Sequence, residues 1–166
     1  MLSAGLRLVL AVAAPLVGAA LVHELRRRTH LAALSTVIAI AACAVLVLSV
    51  ASAVSGGGSL ERSFGAAIPG VDITARADSA SVAAILVACL AAMLAVPRLR
   101  VDADRLAGLL LCLGGAAAVA AAGNLVLTVG GVEVIAAGAL LLRGQRGPGS
   151  RSAALLAGLL ATAGVA

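Results

Sequence analysis

Leu125–Leu142 reads LVLTVGGVEVIAAGALLL. Glu133 is its only charge, with eight residues before it in the run and nine after it. At about 1.5 Å rise per residue, a helix of this length has the reach of a membrane span. A carboxylate at that depth is costly. Insertion scales put an acidic residue at a helix centre at about 2.5–3.5 kcal/mol. Such a residue is a functional-site candidate by default, and Glu133 is the first candidate here.

The same polarity runs through the chain. Of 166 residues, 63% are hydrophobic and 11% charged, and the mean hydropathy is +1.18. A soluble domain carries about 25% charged residues. The composition therefore implies an all-α integral membrane bundle, with five to six transmembrane helices in a single membrane domain. The net charge is +5 and every basic residue is an arginine. The arginines cluster between apolar runs, which reads as an orientation signal. Phe64 is the only aromatic residue, so nothing is available to stack on bases, and a nucleic-acid partner is excluded. The aromatic belt common at membrane interfaces is missing too. Cys43, Cys89 and Cys112 lie inside apolar runs, are odd in number and form no close pair along the chain. They read as small core residues, not as disulfides or metal ligands.

Working outward from Leu125, Gly123-Asn124 reads as a tight turn, with Asn124 capping the helix. The preceding apolar run is Leu106–Ala122. Before it, Arg98 to Arg105 forms a short charged connection after a run over Ala80–Pro97, whose start is capped by Asp78 and Ser79. Ser55–Ser79 is the longest polar stretch. It opens with Ser55-Gly56-Gly57-Gly58-Ser59 and contains Pro69-Gly70, a turn signal. It reads as a flexible external connection. The glycine triplet is no phosphate loop, because the Gly-Lys-Ser/Thr ending is absent. Leu31–Val54 is a second span. The first run covers Leu8–Val22, or Ser3–Val22 if Arg7 snorkels outward. A signal-peptide reading of that run competes with a retained span. Arg26, Arg27 and Arg28 directly behind it resist translocation and favour retention. On the other side of Leu142 lies a basic loop through Arg151, then a last apolar run, Ala153–Ala166. Its fourteen residues reach only about 21 Å, so it reads as re-entrant or as the start of something longer.

The arginines give an orientation. Connections after the first, third and fifth runs each hold three: Arg26, Arg27, Arg28; Arg98, Arg100, Arg105; Arg143, Arg146, Arg151. The other two hold Arg62 and Arg76, and none. The richer set is expected in the cytoplasm, which puts the N-terminus of this multi-pass cell-membrane protein outside.

Other chemistry is sparse. His23-Glu24 opens like a His-Glu-x-x-His zinc motif, but position 27 is Arg27. No Ser/His/Asp or Cys/His arrangement stands out, so a membrane enzyme is the weakest reading. Gly114, Ala118 and Ala122 form a small-residue row on the fourth span. Gly130 and Ala137, with Gly131 and Gly138, form one on the fifth, and such rows admit close helix packing. Thr128 and Asn124 sit near the outer end of the fifth span, and they are accessory candidates for a hydrated path to Glu133. A carboxylate buried without a partner is favoured in its neutral form. Glu133 is therefore either a packing residue or a group that loads and releases a proton.

The stretch Asn124–Ala136, NLVLTVGGVEVIA, resembles a signature of the antiporter-like subunits of complex I, roughly Asn-Asp, a short apolar stretch, then Gly-Leu-Glu-Leu. Val71–Ser81, with Asp78 and Ser81 opening the third helix, looks like that family's Val-Asp-x-Leu-Ser entry after a long external loop. In style the chain is similar to the N-type subunit of NADH:quinone oxidoreductase, over the family's N-terminal part. The same family includes subunits of multi-subunit cation/proton antiporters. The resemblance implies a proton-translocating, non-redox membrane subunit with no cofactor of its own. Its partners would be the lipid bilayer and the other membrane subunits of a respiratory or antiporter complex. Glu133 would be the proton-relay carboxylate. Two departures stand out: Leu125 replaces the usual Asp, and the family's partner lysine is absent, since this chain contains no lysine. The alternatives are a small structural or assembly membrane protein, or a small multi-span transporter, with no relay role for Glu133.

Overall fold

A computed structural model describes residues 3–68, 71–99 and 102–143. Helix α1 covers Ala4–Glu24 and opens at Ser3, whose hydroxyl oxygen accepts from the Leu6 N–H at 3.3 Å. Leu25 N–H returns to the Leu21 carbonyl at 3.0 Å as the helix closes. A short turn through Arg26 and Arg27 leads into α2, Thr29–Val54. After the hairpin described below come α3, Ser79–Leu99, and α4, Ala103–Ala120. Asp102 caps α4 by accepting from the N–H groups of Asp104 and Arg105, at 3.1 and 3.3 Å. Helix α5 is Leu125–Leu142, the run quoted from the sequence.

All five helices are long and apolar enough to cross a membrane. Each bonds its backbone groups internally, as hydrocarbon requires. The protein is an all-α helical membrane bundle. The last apolar run, Ala153–Ala166, and most of the basic loop before it lie outside the described residues, as does the Pro69-Gly70 turn.

Helix α4 is the hub. It packs on α1, α2, α3 and α5, and ten of its eighteen residues are buried, against two for α5. Alanine and glycine make this possible, because small side chains let four neighbours approach one axis. Between α1 and α4, Pro15 and Leu16 fill the groove over Gly114. Leu8, Val22, Ile40, Ile85, Leu106 and Leu110 supply the larger core side chains. Thr36, fully buried on α2, spends its hydroxyl on the Ala32 carbonyl at 2.9 Å.

The connection expected to be a flexible loop is instead largely a β-hairpin. Strands β1, Leu60–Ile68, and β2, Val71–Ala77, pair antiparallel, with irregular register between Ser63 and Ile68. The residues of β2 alternate: Val71, Ile73, Ala75 and Ala77 against Asp72, Thr74 and Arg76. Ala75 and Ala77 are buried while Arg76 is exposed. That period-two pattern is the strand signature, and the polar composition of the stretch masked it. The hairpin sits across the end of the bundle, its far edge tied to the α4–α5 turn. Arg76 N–H donates to the Ala121 carbonyl at 2.8 Å, and Gly123 N–H to the Thr74 carbonyl at 2.9 Å. A side chain at Gly123 would meet the Thr74 backbone at 3.0 Å, so only glycine allows this approach. The α1–α2 and α3–α4 turns and the end of α5 lie at the opposite end of the bundle.

Candidate functional site

The site begins with the rotation of α5, which is set by glycines. A Cβ built on Gly131 would lie 2.9 Å from the Gly115 carbonyl oxygen, and one on Gly115 would lie 2.5 Å from that of Gly131. Gly138 and Gly108 repeat the arrangement at 2.6 and 2.7 Å. Backbone meets backbone at both points, seven residues apart on each helix. Of the rows expected from sequence, Gly131 and Gly138 form this seam. Gly130 faces open space instead, and Gly114 turns toward α1. The α4 half of the seam is Gly108 and Gly115, which the sequence reading missed. Their seven-residue spacing, matching Gly131 and Gly138, was the available signal.

Glu133 is two residues beyond Gly131, about 200° further around the helix. The seam therefore turns it away from α4. It is half-buried, and among the described residues no ion pair or hydrogen bond holds its carboxylate. The neighbouring face carries Val129 and Val132, 41% and 53% exposed. Apart from α4, the main contact of α5 is with β2. The carboxylate is thus presented sideways, at mid-span, to whatever covers α5.

Asn124 and Thr128 form a local cap. The Asn124 side chain accepts from Leu127 N–H at 3.2 Å, and the Thr128 hydroxyl donates to the Asn124 carbonyl at 3.0 Å. Thr128 lies about 7.5 Å along the axis from Glu133 and about 140° around it. The cap residues thus set the start of α5 and not its carboxylate face. The Cys112 thiol points to the Ile135 carbonyl at 3.6 Å, one further contact across the seam.

Elsewhere, His23 Nδ1 approaches Asp104 Oδ1 at 3.6 Å, joining the end of α1 to the start of α4. Among the described residues no cluster of His, Cys, Asp and Glu could hold a metal ion. The cysteines bring one surprise. Cys43 and Cys89, far apart in sequence, meet at 3.7 Å between α2 and α3, both buried and free.

No protein-family model and no curated protein matches this chain. Among solved structures, a chain of the membrane-bound sulfane sulfur reductase, an archaeal respiratory membrane complex, is similar. The TM-score is 0.73 at 20% identity, over 85% of this chain and 23% of that one. At that identity the likeness is one of fold, and this chain spans about a quarter of the length of its neighbour.

Proposed function

We propose that this chain is a membrane subunit of a multi-subunit, respiratory-type complex of the antiporter-like kind. In it Glu133 loads and releases a proton at mid-membrane. One observation carries this reading: the α4–α5 glycine seam turns the sole mid-span carboxylate of α5 away from its helix neighbour. A residue used only for packing between α4 and α5 belongs on the seam, whereas a relay must face the group it exchanges with. The fold likeness to a chain of a respiratory membrane complex supports the setting. In this reading the exchanging partner belongs to another subunit, since this chain has no lysine to take the place of the family's. In this reading the hairpin end is outside and the arginine-rich end cytoplasmic, by the positive-inside rule.

The competing reading is an assembly protein in which Glu133 is a neutral packing residue. It draws on the lack of any second charged side chain deep in the described spans. Proton pumping in vesicles of the assembled complex separates the two. Glu133→Gln keeps shape and hydrogen bonding but cannot titrate, and is expected to slow pumping at least tenfold, toward the ~10²-fold scale of a lost acid–base group. Glu133→Asp is expected to fall between. Pumping unchanged by the glutamine, at normal assembly, would overturn the relay.

A further inference from the structure

At the end of the bundle opposite the hairpin, two connections border an open cleft of about 630 Å³. Its wall is Arg26, Arg27 and Thr29 on one side and Asp102 to Arg105 on the other. The volume falls within the usual range for ligand clefts, about 300–1,000 Å³. Three guanidinium groups and two carboxylates line it, but they are not equally free. Asp102 is committed twice, to the first N–H groups of α4 and to Arg105, whose Nε lies 3.1 Å from its Oδ2. Asp104 faces His23. Arg26 and Arg27 are exposed, and among the described residues neither has an ion pair. Asp102 is thus spent within the fold, Asp104 is exposed with only a histidine beside it, and two of the three cations of the cleft carry no ion pair among the described residues.

We infer that this cleft binds the phosphate-bearing headgroup of an anionic phospholipid, held by Arg26 and Arg27 from one connection and by Arg105 from the other. The cleft lies where α1 ends, α2 begins and α4 begins, the level at which headgroups sit when these helices span a bilayer. Guanidinium groups match phosphate oxygens as paired donors, and basic pockets between spans at a membrane face take anionic headgroups. The Thr29 hydroxyl adds a neutral donor at the rim. Bound this way, a lipid would tie the α1–α2 turn to the start of α4, the hub helix.

The test uses the full chain in nanodiscs of neutral phosphatidylcholine containing a minor fraction of phosphatidylglycerol. Phospholipid retained after extraction is counted by native mass spectrometry. Wild type is expected to keep phosphatidylglycerol in preference to phosphatidylcholine. Arg26→Gln with Arg27→Gln is expected to lower that retention about tenfold or more, on the scale of the attraction per basic residue near a membrane surface. A charge-matched control, Arg98→Gln with Arg143→Gln, removes two cations from the same end outside the cleft. It is expected to retain lipid as wild type does. Equal losses in the two double variants would mean that bulk surface charge attracts the lipid, and would overturn the site. Displacement by millimolar glycerol phosphate or inorganic phosphate would assign the cleft to a soluble phosphate and overturn the lipid. Circular dichroism and size exclusion confirm that each exposed-residue variant is folded.

Discussion

At the scale of single residues, capping decides where helices start, and Asp78 is the clearest case. Its carboxylate accepts the Ser81 N–H at 2.8 Å and the Ser81 hydroxyl at 2.9 Å. Those bonds, the backbone one foremost, hold its carboxyl below the ordinary carboxylate value, with Arg76 adding a smaller pull. Because the folded value lies below the unfolded one, the cap stabilises fully above the unfolded value of about 3.9. That contribution is lost as pH falls through the folded value. Asp78→Asn still caps but does not titrate. Thermal unfolding in micelles should therefore show wild type ahead of the variant at about pH 6, with the gap closing toward about pH 3. A gap independent of pH would exclude this role. The expected caps Asp78 and Asn124 were legible because capping is local. Ser79, expected to share the cap with Asp78, is instead the first residue of α3.

At the scale of elements, glycine does different work at neighbouring positions. Gly131→Ala would push a methyl into the Val119 side chain at 2.7 Å and the Gly115 carbonyl at 2.9 Å. Backbone cannot yield as a side chain can, so α5 must shift off α4. The expected cost is about 1–3 kcal/mol. Gly130→Ala meets nothing within 4 Å and should stay within about 0.5 kcal/mol of wild type. Reversible unfolding in mixed micelles compares the two, and equal effects would contradict the seam. From sequence both glycines looked alike, since periodicity gives a spacing and not a direction. The hairpin escaped for another reason. Its strands carry charges among their apolar residues, and β2 buries only the small side chains of Ala75 and Ala77.

At the scale of the whole molecule, packing brings together residues that no motif connects. Cys43 and Cys89 meet across α2 and α3, and Cys112 belongs to the α4–α5 seam. A short, membrane-permeant bifunctional thiol reagent should join α2 to α3. After proteolysis in the hairpin connection, the two parts should stay linked. Cys43→Ser should abolish the link and Cys112→Ser should leave it intact. A link that needed Cys112 would refute the helix order around α4. The same order separates the two ends of the bundle, with the hairpin on one and the lipid cleft on the other.

By itself the sequence determined the class and the spans. Hydrocarbon forces long apolar runs into helices that satisfy their own backbone groups, and that rule acts on local composition. It also singled out Glu133, because a lone charge in an apolar run stands out without any partner. Only the tertiary structure decided which way Glu133 faces, that α4 is the hub, that two cysteines meet, and that Arg26 and Arg27 share a cleft with Arg105. Those facts depend on helix rotation, and rotation is set by backbone contacts such as Gly115 against Gly131, between residues that only folding brings together.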